Sequence, residues 1–202
     1  MHVDEWITRK SFDAVVLTGN GRTEVRIVKA IGEKLNGRYQ LAFLIIPING
    51  KKRIGLSIIK SIFIIAEKYG VRKFVIFVDK EHVTKINDVA RYIKKGCFLK
   101  GLKEIRKNIL YKFQIRCTNA KNFILEVIIG INGITKRIEE NRSLFIKLFF
   151  NQNVPADKKA IMNFYRKRRI HEGQAIIQAS NEIVASAFPA IYYGLKLIHA
   201  NE

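Results

Sequence analysis

Val75-Ile76-Phe77-Val78-Asp79-Lys80-Glu81-His82 reads as a buried strand that runs into two carboxylates two residues apart. Side chains alternate faces along an extended backbone, so Asp79 and Glu81 are expected to point the same way from the strand's end, close enough to share a divalent cation. Open α/β sheets bind ligands beyond the carboxyl ends of their strands, which makes this acidic end the first candidate site. The preceding segments set the fold class. Residues 53–69 read as a helix, apolar nearly all round through Ile54, Ile58, Ile59, Ile62, Ile65 and Ala66, and ended by Gly70. Before it, Leu41-Ala42-Phe43-Leu44-Ile45-Ile46 reads as a strand closed by Pro47 and Asn49-Gly50. Residues 22–36 carry Val25, Ile27, Val28, Ile31 and Leu35 on one helical side, with Gly37 as a C-cap. Residues 13–18 form the first strand, stopped by Gly19-Asn20-Gly21.

This alternation predicts an α/β fold, a mainly parallel sheet of Rossmann-like kind flanked by helices, with a more helical C-terminal half. Residues 84–95 are expected to be helical, and 99–110 are basic and compatible with a helix. Residues 111–117 and 122–131 look extended and able to pair through Thr118-Asn119-Ala120-Lys121. A helix is expected at 138–149, and helices over most of the chain from 156, with Pro189 dividing the last of them. The expected organisation is an α/β core over 1–100 and a basic, mixed then helical part over 101–202 packed on the same core.

With 202 residues, 48% hydrophobic and only 3 Pro, the composition is that of a packed globular protein and not of a basic disordered tail. A net charge of +20 suggests a polyanionic partner, nucleic acid before an anionic membrane surface. No apolar run reaches the roughly 18–20 residues that a membrane helix needs. The two cysteines, Cys97 and Cys117, lack metal-finger spacing and read as small core or half-buried thiols in a reduced, cytoplasmic protein.

The basic residues concentrate in two places. Lys94, Lys95, Lys103, Arg106 and Lys107 belong to one run, and Arg166-Lys167-Arg168-Arg169 forms another beside Tyr165 and His171. Either could track a phosphate backbone, DNA or RNA, although charge runs commonly serve as solvated faces. The loop Gly19-Asn20-Gly21-Arg22 lets the backbone approach an anion at a helix start. It is neither a Walker loop nor a dinucleotide fingerprint, and its plain alternative is a tight turn with Asn20 or Thr23 as helix cap. Phe145, Phe149 and Phe150 read as core.

Taken together, Asn20-Gly21-Arg22-Thr23-Glu24 after the first strand and Asp79-Lys80-Glu81 after the third resemble the Toprim domain. That domain is shared by topoisomerases, bacterial primases, recombination-mediator proteins and overcoming-lysogenization-defect nucleases. The resemblance covers about residues 13–83. It implies action on nucleic acid, Mg²⁺ held by Asp79 and Glu81, and catalytic roles for Glu24, Asp79 and Glu81. The small stand-alone members commonly read Glu-Gly-x-Thr-Glu in the first motif, and the first of those glutamates falls on Asn20, which cannot exchange a proton near neutral pH. Three readings stay open: a Mg²⁺-dependent nuclease or phosphodiester-transfer enzyme in which Glu24 takes over part of the work, a non-catalytic nucleic-acid-binding module, and a nucleotide-binding regulatory protein using the glycine loop.

Overall fold

A computed structural model describes residues 3–4, 14–18, 22–35, 41–45, 55–118 and 122–198. Seven strands form one sheet, β1 (Val3–Asp4), β2 (Ala14–Thr18), β3 (Leu41–Ile45), β4 (Lys73–Asp79), β5 (Cys97–Arg106), β6 (Leu110–Cys117) and β7 (Phe123–Asn132), in the order β1-β3-β2-β4-β7-β6-β5. Pairing is parallel from β1 through β7 and antiparallel for β7-β6 and β6-β5. The expected parallel arrangement of the three N-terminal hydrophobic strands is therefore present.

The helices follow from the periodicity. They are α1 (Arg22–Lys34), α2 (Ile59–Tyr69), α3 (Ile138–Phe150), α4 (Lys158–Arg168), α5 (Glu172–Gln178), α6 (Asn181–Ala187) and α7 (Pro189–Lys196). Gly70 ends α2 with φ 72°, its N–H returning to the Ala66 carbonyl. Pro189 sits in the first turn of α7, where its fixed φ suits a helix start, so it divides the tail as expected.

Alternate strand residues feed two cores. Val16, Val75, Phe77, Leu110 and Ile128 pack with α1 and α3 to α7 on one face. On the other, Leu17, Phe74, Ile76, Phe113 and Val127 pack with α2. Burial on both faces explains why β2 and β4 are unbroken hydrophobic runs rather than alternating ones. Each fully buried Phe or Ile contributes about 1.5–3 kcal/mol to holding these layers together.

Several expectations are corrected. Residues 84–95 do not form an α-helix: Ile86–Tyr92 is a 3-10 segment anchored by buried Val89. Residues 99–110 are not helical either, because β5 pairs with the edge of β6, with irregular register between Lys100 and Lys103 and between Glu104 and Arg106. Cys97 and Cys117 are not independent thiols. They face one another across β5 and β6 with Cα atoms 4.0 Å apart and are joined as a disulfide. The Gly37 cap and most of the Thr118–Lys121 connection lie outside the described residues. Among the described residues no helix is long and apolar enough to cross a membrane.

Candidate functional site

The chain leaves β2 into α1 on one face of the sheet, whereas after β4 it passes through Val83, Ile86 and Val89 on the opposite face. Neighbouring strands whose exits diverge in this way leave a crevice at their carboxyl ends. A pocket of about 250 Å³ opens there, lined by Thr23, Glu24, Asp79, Glu81, His82, Arg137, Ile138, Glu139 and Lys158. The three acids singled out in the sequence, Glu24, Asp79 and Glu81, all line this one pocket.

Their local geometry differs from the expected one. Strand β4 stops at Asp79, and Lys80–His82 is a 3-10 turn, so the two carboxylates do not share a strand face by simple alternation. The turn is held from two sides. Glu81 N–H donates to the Lys136 carbonyl at 2.9 Å, and the Lys80 ammonium donates to the Ile134 carbonyl at 2.8 Å. Glu81 in turn accepts from Arg137 Nε at 2.9 Å and lies 3.5 Å from His82 Nε2.

Asp79 is only 2% exposed. Its Oδ1 accepts the N–H of Ile138 at 3.0 Å, one of the amides that the first turn of α3 leaves unpaired. Burial pushes its carboxyl up to about 6, opposed by that hydrogen bond and by His82 and reinforced by the nearby charges of Glu139 and Glu81. Glu24, in the first turn of α1, is 1% exposed. Acids at both helix starts are favoured by the helix dipoles.

Flanking Asp79, Thr18 Oγ1 at the end of β2 and Asn132 Nδ2 at the end of β7 are buried with no hydrogen-bond partner among the described residues. Sequence reasoning missed these two, together with Arg137, Glu139 and Lys158. The segment from Gly133 to Glu140 reaches the site only because β7 inserts beside β4. Glu140 fixes that segment, accepting from Thr135 N–H at 2.6 Å and Lys136 N–H at 3.0 Å. Although burial works against its charge, these bonds and one from the Thr135 hydroxyl hold its carboxyl down at about 2.

Gly19, Asn20 and Gly21 lie outside the described residues, and Arg22 is placed only as the first residue of α1. The first basic run is spread along β5 and its flanks, whereas Arg166, Lys167, Arg168 and Arg169 stay together at the end of α4. Arg106↔Leu110 and Leu110↔Gly130 put the β5–β6 turn, with Arg106 and Lys107, on the same sheet edge as Asp79↔Asn132. Lys103 is exposed within β5 near that turn. Lys94 and Lys95 precede the Cys97↔Cys117 pair at the opposite edge, and Lys94 is bound to Glu67 at 2.5 Å. On α4, Lys158 lines the pocket, whereas Arg166, Lys167, Arg168 and Arg169 lie about 15 Å further along the helix. Arg168 packs over Phe150 and Phe164, at 5.4 and 4.8 Å from their ring centres.

The donor chemistry suits an ion such as Mg²⁺, which is commonly held by one or two carboxylates with water and substrate phosphate completing its shell. It does not suit an all-protein cage, since among the described residues no three Asp, Glu, His or Cys side chains are grouped to hold a metal. No family model, curated protein or solved structure matches the chain.

Proposed function

We propose that the protein acts on nucleic acid as a Toprim-like, Mg²⁺-dependent phosphodiesterase, a nuclease or a phosphodiester-transfer enzyme. The supporting observation is that Glu24, Asp79 and Glu81 line one pocket at the carboxyl edge of the sheet together with Arg137 and Lys158. Asp79 and Glu81 would hold the ion, which when bound neutralises charge developing on a phosphodiester. Arg137 and Lys158 draw the anionic backbone to the mouth, and Glu24 stands in for the acid that Asn20 lacks. His82 lies beside Glu81, its Nε2 3.5 Å from the Glu81 carboxylate.

A second reading, a non-catalytic nucleic-acid-binding module, is favoured by the ties already made by the acids. Asp79 caps α3 and Glu81 pairs with Arg137.

The test is cleavage of labelled single- and double-stranded DNA and RNA with Mg²⁺ or Mn²⁺ at equal occupancy. Asp79→Asn keeps the oxygen that accepts from Ile138 and removes the charge, so it should abolish cleavage while leaving binding largely intact. Glu24→Gln should lower the rate about 10²–10⁴-fold if Glu24 handles the proton, and Asn20→Glu should raise it. Binding with no cleavage by any variant would leave the module as the better account.

A further inference from the structure

A second groove, of about 420 Å³, lies between the β5–β6 turn and the α6–α7 junction, lined by Arg106, Glu182, Ala185, Ser186, Pro189 and Tyr193. It is linked to the acidic pocket. Asn141 accepts from the N–H of Gly133, where β7 gives way to the segment carrying Arg137, and donates to the carbonyl of Ala187 beside the groove, at 2.6 and 2.7 Å. Three strand spacings separate β4 from β5 along the common edge, roughly 14 Å.

The chemistry of this groove differs from that of the pocket. The Arg106 guanidinium lies over the Tyr193 ring, 3.5 Å from its centre, and Arg106 is exposed. That separation is the van der Waals distance of a guanidinium resting on a ring, and on an exposed residue such a guanidinium can offer a flat surface to a ligand. A guanidinium plane is a surface on which an unpaired base stacks. Beside it, Glu182 offers a carboxylate, Ser186 a hydroxyl, and Ala185 and Pro189 an apolar wall. A hydrogen bond from its own backbone N–H, then one from Ser180, holds Glu182 below the usual carboxylate range, so it is an acceptor at neutral pH. A carboxylate repels phosphate but accepts from the amino and imino groups on a base edge.

We infer that this groove is a subsite for an unpaired nucleobase, so that the strand whose phosphodiester enters the acidic pocket is single-stranded where it crosses the edge of the sheet. A base inside a duplex shows its face to its stacking neighbours and cannot lie on Arg106. This inference rests on the nucleic-acid reading and adds strandedness and a base contact to it.

The experiment measures binding of the full chain to a fluorescent single-stranded oligonucleotide, to the same oligonucleotide with abasic positions, and to the matching duplex, all in EDTA. The wild type should bind the intact single strand on the order of tenfold more tightly than the abasic one, the size expected of one stacked base. Arg106→Lys keeps the charge and loses the plane. It should erase the difference between intact and abasic strands while the salt dependence stays the same. Tyr193→Leu, which removes the support beneath the guanidinium, should do the same in part. Equal affinity of the wild type for intact and abasic strands, or an Arg106→Lys variant that still discriminates them, overturns the subsite. Base-dependent binding without Asp79-dependent cleavage would overturn the catalytic reading and leave the subsite standing, whereas no binding to any of the three would remove both.

Discussion

Under the proposed reading two demands fall on Asp79, and they pull against each other. Its oxygen caps α3, yet the charge it would need to hold a cation is buried and crowded by Glu139 and Glu81. An acid whose folded pKa is raised binds its proton more tightly in the folded chain. Its contribution to stability is complete below the unfolded value near 4 and is lost as pH rises through about 6. In EDTA, Asp79→Asn should therefore be more stable than the wild type at pH 7.5, by up to ~3 kcal/mol, and indistinguishable from it near pH 4. Urea denaturation at both pH values measures this, and an Asn variant less stable at pH 7.5 would contradict it. Mg²⁺ should narrow the gap by stabilising the wild type alone. A cost to stability at Asp79 is what the proposed role would entail, since binding and catalytic sites commonly trade stability for function. Asp79 and Glu81 were legible in the sequence because a hydrophobic run ends on them, and Glu24 because it follows a glycine turn by a fixed spacing. Arg137 was not, since it pairs with Glu81 from 56 residues away, a proximity that no local pattern encodes.

At the scale of elements, the acidic turn Lys80–His82 is braced by two glycines that nothing in the local pattern marked. A Cβ on Gly55, which has φ +58°, would come 2.5 Å from the His82 carbonyl oxygen, and one on Gly133, at φ +93°, 2.5 Å from the Arg137 nitrogen. Both positions combine a left-handed backbone with a close approach of backbone to backbone, so alanine has no small adjustment available. Gly101 has φ +65° but open space around it, and it isolates the backbone penalty. Gly55→Ala and Gly133→Ala should each cost about 1–3 kcal/mol more than Gly101→Ala in chemical denaturation. Gly133→Ala should in addition weaken Mg²⁺-dependent stabilisation, because it displaces the segment that carries Arg137 and Ile138. Equal costs at all three glycines would show that the crowding is relieved elsewhere. The elements that sequence reading missed share one cause. Strand β5 is exposed along most of its length, and the irregular register after Lys100 interrupts the alternation of Cys97, Leu99 and Leu102, which half-bury on the core; it is a strand because β6 offers an open edge and Cys117 faces Cys97. The 3-10 segment Ile86–Tyr92 likewise buries only Val89, too little to show a helical period. In the alternation up to Asp79, β2, α1, α2 and β4 were legible because they are buried on one side or both.

For the whole molecule, a charge of +20 has to be read with topology before it says anything about a binding path. In sequence, Lys94 to Lys107 looks like one basic run, yet the antiparallel return of β5 and β6 sends its two ends to opposite edges of the sheet. Only the end with Lys103, Arg106 and Lys107 lies toward the edge where Asp79, Arg137 and Lys158 are found. Lys94 is already paired with Glu67. If nucleic acid lies along the carboxyl edge, phosphates neutralised there release counterions and those at the far edge do not. Lys103→Ala with Lys107→Ala should weaken binding and make the dependence of log affinity on log salt shallower by roughly 1.5, the contribution of two phosphate contacts. Lys94→Ala with Lys95→Ala removes the same formal charge and should leave the slope unchanged. The quadruple replacement of Arg166 to Arg169 is a poorer probe, because Arg168 packs on two rings and Arg169 ends α4 at φ 55°. Arg166→Ala with Lys167→Ala avoids both, and a change of slope there would extend the track along α4 from Lys158. Titrations at several salt concentrations compare the pairs at constant net charge. Equal effects from the Lys103/Lys107 and Lys94/Lys95 pairs would mean that the protein attracts nucleic acid through its total charge alone, and an edge track would then have no support.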